Sequence, residues 1–149
     1  TLIKGPFHAI VDKSDFTTDV YLEREGLGKV FVKRFNVGLG KLGSTPEGDW
    51  TVGDKTEKQP WYAPPSSGMN GIIPYGSPDY ALGQQGLWIG LKGAEGATLN
   101  FRGLGIHSTN KPGSIGTMDS LGCIRLGDAD IDAVYKMLYP TWSTVTIQP

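Results

Sequence analysis

The chain is nearly empty of the residue types that cross-link or bind metals: one cysteine, Cys123, and two histidines, His8 and His107, in 149 residues. A single cysteine excludes an internal disulfide and any multi-cysteine metal site, and two histidines set apart from it offer no familiar ligand spacing. No metal or other cofactor is therefore expected. Charge of one sign is also missing. Fourteen basic against fifteen acidic residues leave a net charge of -1, with the signs interspersed, so there is no general attraction to nucleic acid. The cluster Lys29, Lys33 and Arg34 reads as the solvated face of a strand rather than a binding patch. Long hydrophobic runs are absent too: none approaches the roughly 18 residues that span a bilayer, and no signal peptide is visible. Thr1 opens the chain without a start Met, as expected of a processed or excised domain whose targeting segment is missing. The length suits one domain over residues 1–149, able to bury about 70% of the surface its unfolded form exposes.

What is present reads mainly as β-structure. Phe7 to Val11, Asp19 to Glu23 and Lys29 to Gly38 are runs rich in Val, Phe and Tyr, separated by turn-forming residues. The third carries apolar residues on both faces, as expected of a strand inside a sandwich, and His8 reads as an ordinary strand residue. Thr45-Pro46-Glu47-Gly48 has the pattern of a type I turn reversing the chain into a strand over Asp49 to Gly53. From Lys55 to Ala81, prolines at 60, 64, 65, 74 and 78 predict a long segment without regular structure, held in order by Trp61, Tyr62, Tyr75 and Tyr80. It is either an excursion covering the sheet or the wall or lid of a cleft. Strands return at Leu87 to Leu91 and Leu99 to His107. Asp128 is a candidate helix N-cap, with Asp130 and Asp132 in the first turn, the apolar series Ile131, Val134, Tyr135 and Leu138 on one face, and Pro140 as the stop. Thr144 to Ile147 alternates as a final strand.

The chemistry concentrates in HSTNKPGSIGTMDSLGCIRL, His107 to Leu126. A lone cysteine is more often a small buried hydrophobe than a nucleophile. Three features here point the other way: Gly122 frees the backbone, Asp119 and Ser120 make the approach polar, and a histidine lies sixteen residues upstream. A thiol at neutral pH needs a lowered pKa or an adjacent base, and His107 is the candidate base. If both ends of the stretch are extended, Leu104 and Ile106 face the core while His107 stands out toward a cleft. Cys123 and Arg125 likewise share one face, with Ile124 and Leu126 beneath. The backbone N–H groups of Gly122 and Cys123 are the nearest supply for an oxyanion hole. Arg125 suits a substrate carboxylate or, equally, a structural ion pair beside the site. Ser120, Thr109 and Asn110 are weaker substrate-binding candidates, since such residues commonly serve turns.

IHSTNKPGSIG followed by SLGCIRL resembles the signature of the L,D-transpeptidase (YkuD-like) catalytic domain. TPEGDW at Thr45, YALGQQGLWIGL before the histidine, and DADIDAVYKMLYPTWSTVTI after the cysteine resemble its flanking segments, so the likeness covers nearly the whole chain. One position departs: Leu121 stands between Ser120 and Gly122 where many members have His. The resemblance implies a β-sandwich-like domain with one helix near its C-terminus and the Pro-rich segment, about residues 55–81, over the cleft. It implies Cys123 as nucleophile, His107 as base and the Ser108 backbone carbonyl as the acceptor orienting the imidazole. The implied substrate is a peptidoglycan stem tetrapeptide, whose terminal D-alanine departs as an acyl-enzyme thioester forms and passes to an amine. Carbapenem acylation and an extracytoplasmic location, in the periplasm or cell wall, follow from the same resemblance. Two other readings remain: an L,D-carboxypeptidase using water as acceptor, and a cell-wall binding module that keeps the cleft without turnover.

Overall fold

A computed structural model describes residues 5–63, 67–69, 71–93, 104–120 and 122–149. The expected strand at Leu99 to His107 therefore lies partly outside the described residues, as do Thr1, Pro64, Pro65 and Leu121. Alternating apolar residues build an eight-stranded sheet from β1 (Phe7–Asp12), β2 (Thr17–Arg24), β3 (Gly28–Asn36), β5 (Gly48–Thr56), β8 (Trp88–Gly93), β9 (Gly105–His107), β11 (Ile124–Arg125) and β12 (Thr144–Gln148). Its order is β11-β9-β8-β5-β12-β1-β2-β3. Short pairs formed by β4 (Leu39–Gly40) with β10 (Met118–Ser120), and by β6 (Trp61–Tyr62) with β7 (Ile72–Ile73), stand beside it.

The sheet curls until its two ends meet. Just beyond β3, Gly38 bridges to Arg125 in β11: Gly38 N–H donates to the Arg125 carbonyl at 2.8 Å and Arg125 N–H to the Gly38 carbonyl at 2.9 Å. Buried side chains from the strands, among them Val11, Val20, Val52, Ile89 and Ile124, form one core inside the curl. The mainly β, sandwich-like fold thus takes the form of one curled sheet. Among the described residues α1 (Asp128–Met137) is the one α-helix, and Ile131, Val134 and, just past its end, Leu138 close the same core. Each fully buried aliphatic of this kind contributes on the order of 2 kcal/mol.

Four local expectations need correction. β3 is an exposed edge strand in which Phe35 alone is buried, because β2 covers one side and nothing in the sheet order covers the other. The Thr45–Gly48 segment leads into β5 as a bend rather than a hydrogen-bonded turn, and its Thr45 carbonyl accepts from Lys13 Nζ at 2.7 Å. The Pro-rich segment is not without regular structure: it carries the β6–β7 hairpin. Asp128 is the first helical residue and Gly127 the N-cap, with no side-chain capping bond. His8 is an ordinary strand residue in position only; Thr144 N–H donates to its Nδ1 at 3.2 Å, and its Nε2 meets Glu23 at 3.1 Å.

Candidate active site

β9 and β11 run parallel, with Ile106 opposite Ile124 and His107 opposite Arg125. One step earlier, Cys123 makes a hydrogen bond to the Gly105 backbone. The strand register therefore sets the thiol-bearing and imidazole-bearing segments side by side. Ile124 and Leu126 are fully buried beneath them, while Cys123 and Arg125 keep partial access to solvent on the other face. His107 is only 6% exposed. The cause is Trp88 on the neighbouring β8, whose indole stacks on the imidazole at 5.6 Å between centroids and 15° between planes. The same indole lies so tightly over Gly105 that a side chain there would meet it.

The imidazole's tautomer follows from its partner. Nδ1 contacts the Ser108 carbonyl oxygen, which can only accept, so Nδ1 carries the proton and Nε2 is left as the basic nitrogen. Burial holds the imidazole down at about 4, with the Ser108 hydrogen bond opposing and the Arg125 charge assisting. Burial pushes the Cys123 thiol up to about 11, against smaller lowering effects of the Gly105 hydrogen bond and Arg125. At neutral pH the resting pair is thus thiol plus neutral imidazole. Charging either partner alone is disfavoured, whereas thiolate and imidazolium formed together attract each other across a low-dielectric site.

The backbone around the thiol is held by side chains. Gly122, at a φ of 123°, sits where an L-side chain rarely fits. Its carbonyl accepts from the buried Thr45 hydroxyl at 2.9 Å, and Thr45 Oγ1 in turn accepts from Gly40 N–H at 2.8 Å. Because a trans peptide sets C=O and N–H antiparallel, fixing the Gly122 carbonyl fixes the direction of the Cys123 N–H. The Gly122 N–H, expected as an oxyanion donor, is instead given to Ser120 Oγ at 3.2 Å. Ser120 Oγ donates to the Cys123 carbonyl at 2.6 Å. Ser120 is therefore bonded within the turn that leads into Cys123, and Thr109 Oγ1 likewise accepts from Lys111 N–H at 3.0 Å in a turn. Asn110 is exposed at the rim. Thr45 is the residue that sequence reasoning took for turn chemistry alone.

Arg125 has the acidic neighbour expected of a structural role, at long range. Its Nη1 lies 3.7 Å from Asp119 Oδ2, too long for a hydrogen bond, and its Nε and Nη1 are buried without hydrogen-bond partners among the described residues. Burial lowers its pKa and the Asp119 charge opposes that. It stays charged, since a guanidinium does not lose its proton in the physiological range. Among the described residues no group of three His, Cys, Asp or Glu side chains is placed to hold a metal, and no helix is long and apolar enough to cross a membrane.

The family model for the L,D-transpeptidase catalytic domain, YkuD, matches residues 6–147. The chain belongs to that family. Among its relatives is YqjB of Bacillus subtilis (strain 168), itself only provisionally assigned as an L,D-transpeptidase, which is 32% identical over 139 residues covering 91% of this chain and 68% of YqjB. The fold is shared with L,D-transpeptidase 3 from Mycobacterium tuberculosis solved with a faropenem-derived adduct, at a TM-score of 0.66 and 21% identity over 97% of this chain and 61% of that one. It is shared also with the L,D-transpeptidase LdtMt1 solved in complex with imipenem, at a TM-score of 0.65 and 18% identity over 97% of this chain and 59% of that one. This YkuD chain thus spans about three fifths of the length of those solved chains.

Proposed function

We propose that this domain is a cofactor-free cysteine acyltransferase acting on peptidoglycan stem peptides outside the cytoplasmic membrane. The observation that supports the reading is the parallel β9–β11 register, which brings Cys123 to Gly105, two residues before a His107 whose Nε2 is left basic by the Ser108 carbonyl. As the substrate carbonyl reaches the thiol, Nε2 takes the Cys123 proton and sulfur attacks the carbonyl carbon. The Cys123 N–H, aimed through the Thr45–Gly122 bond, meets the developing oxyanion. The imidazolium then protonates the departing D-alanine amine, leaving a thioester. An amine from a neighbouring stem resolves it in cross-linking; water would resolve it in hydrolysis. Arg125, with buried donors lacking partners, takes a substrate carboxylate and leaves Asp119 as its resting counter-ion. The Pro-rich segment walls the cleft.

Intact-mass spectrometry of the reduced protein with imipenem, beside Cys123→Ala and His107→Ala, tests the nucleophile and base. One adduct is expected on the wild type, none on Cys123→Ala, and slow accumulation on His107→Ala. A wild type that stays unmodified with its free thiol verified by titration overturns the reading in favour of a binding module. A stem tetrapeptide with and without an added amine then separates transfer from hydrolysis.

A further inference from the structure

We propose that Asp128 is a positioning residue, which holds the base His107 in its working tautomer through the side chain of Ser108. The inference rests on the reading of His107 as the base. Asp128 occupies the first position of α1, where a carboxylate suits the positive end of the helix dipole and where, one residue earlier, it would cap the helix. The N-cap itself is Gly127, which has no side chain to cap with. Asp128 Oδ1 accepts from Ser108 Oγ at 2.6 Å and from Gln84 N–H at 3.1 Å. Ser108 is 1% exposed, so its hydroxyl has no ready exchange for water. One residue is thereby fixed at two points: its side chain to Asp128, and its carbonyl to His107 Nδ1.

The neighbours show that this junction is closely fitted. Gly83, at a φ of 81°, approaches so near that an added Cβ would lie 2.5 Å from Ser108 Cβ, 2.6 Å from its Oγ and 2.8 Å from Asp128 Oδ1. The chain after the Pro-rich segment is thus pressed onto the Asp128–Ser108 bond, and Gln84 N–H joins it. A carboxylate accepting two hydrogen bonds in such a place is the stronger, charge-assisted kind of acceptor. Without it, the Ser108 hydroxyl is buried unsatisfied, the peptide carrying its carbonyl can rotate, and the Nδ1–H that leaves Nε2 basic loses its fixed partner.

The experiment compares Asp128→Ala, Asp128→Asn, Ser108→Ala and the double variant Asp128→Ala/Ser108→Ala by two readouts. The first is the rate of acylation by imipenem; the second is the His107 Nδ1–H proton signal in NMR, identified against His107→Gln. Asp128→Ala and Ser108→Ala are each expected to slow acylation about 10- to 100-fold and to broaden the Nδ1–H signal. The double variant should be no slower than either single one, and Asp128→Asn, which keeps the Oδ1 acceptor, should restore most of the rate and the signal. A wild-type rate with a sharp Nδ1–H in Asp128→Ala overturns the proposal, as do losses that multiply in the double variant. The NMR readout needs no turnover, so it stands even if the wild type is not acylated and the acyl-transfer reading itself fails.

Discussion

The two ends of the curled sheet make opposite use of the same backbone geometry. β3, at one end, is nine residues long, rich in β-formers and exposed at all but Phe35. β11, at the other end, is two residues long, yet it is hydrogen-bonded to β9 on one side and to Gly38 on the other, with Ile124 and Leu126 fully buried. Strand length and propensity therefore say little about which end is constrained. What separates them is the number of partners their groups have: around β11, side chains of Thr45 and Ser120 fix peptides flanking the site, and Asp128 holds the Ser108 side chain. β3 is protected as sheet edges commonly are, by charge, with Lys29, Lys33 and an Arg34 held bidentate to Asp19 at 2.7 and 2.9 Å.

The contrast breaks most readily at Thr45. Thr45→Val removes one hydroxyl and strands two buried groups, the Gly122 carbonyl and the Gly40 N–H. A loss of about 4 kcal/mol in urea unfolding is expected from two orphaned groups, together with acylation slowed on the order of 100-fold as the Cys123 N–H, the proposed oxyanion donor, loses its aim. Thr45→Ser should keep both. If Thr45→Val unfolds like the wild type, the turn into Cys123 is not held as described.

Next comes the pH dependence that burial imposes on His107. Its folded-state pKa of about 4 lies below the ordinary 6.5, so between those values the unfolded chain binds the proton first. The stability from keeping the imidazole neutral is present above pH 6.5 and is lost as pH falls toward 4, by about 3 kcal/mol. Cys123 mirrors this: with its thiol raised from 9.0 to about 11, stability is lost as pH rises through that interval. Unfolding curves of wild type and His107→Gln should diverge only at the acid end, and parallel curves from pH 7 to pH 4 would rule out a buried imidazole. Trp88→Ala addresses the cause. With the stacked indole gone, the His107 pKa should climb from about 4 toward 6.5 in an NMR titration, at a cost of about 2 kcal/mol for removing a half-buried ring.

How much of this was legible in the chain follows the same division. Local patterns predicted most strands of the sheet and the core face of α1, because period-2 and i, i+3, i+4 spacings are properties of single segments. Cys123 and His107 were singled out from chemistry, as the lone Cys123 follows a glycine and shares a polar stretch with His107. Ser108 as orienting acceptor came only through the family resemblance. What stayed hidden was every contact joining distant segments. Thr45 to Gly122 spans 77 positions and Asp128 to Gln84 spans 44, and no local rule pairs them. Asp128 was read as a helix cap because that is what an Asp at a helix start does locally; tertiary packing turned its carboxylate to Ser108 instead. The exposed edge at β3 was hidden for a similar reason, since alternation reports which residues share a face but not whether a neighbouring strand covers it.

The smallest expected effect lies at that edge. Lys33 lies 5.1 Å over the Phe35 ring and is otherwise solvated, so Lys33→Thr should leave unfolding within about 0.5 kcal/mol of wild type and acylation unchanged. Its consequence should be intermolecular. Val30, Phe31 and Val32 already expose apolar surface on a long edge strand, and removing a charge beside them leaves less to discourage pairing with another chain. Light scattering against concentration should therefore rise in Lys33→Thr, and more in Lys29→Thr/Lys33→Thr, while a matched change at the opposite end, Lys111→Thr, leaves association unaltered. If the β3 variants instead lose stability as Thr45→Val does, the edge is tied into the fold as tightly as β11, and the distinction between the two ends of the sheet disappears.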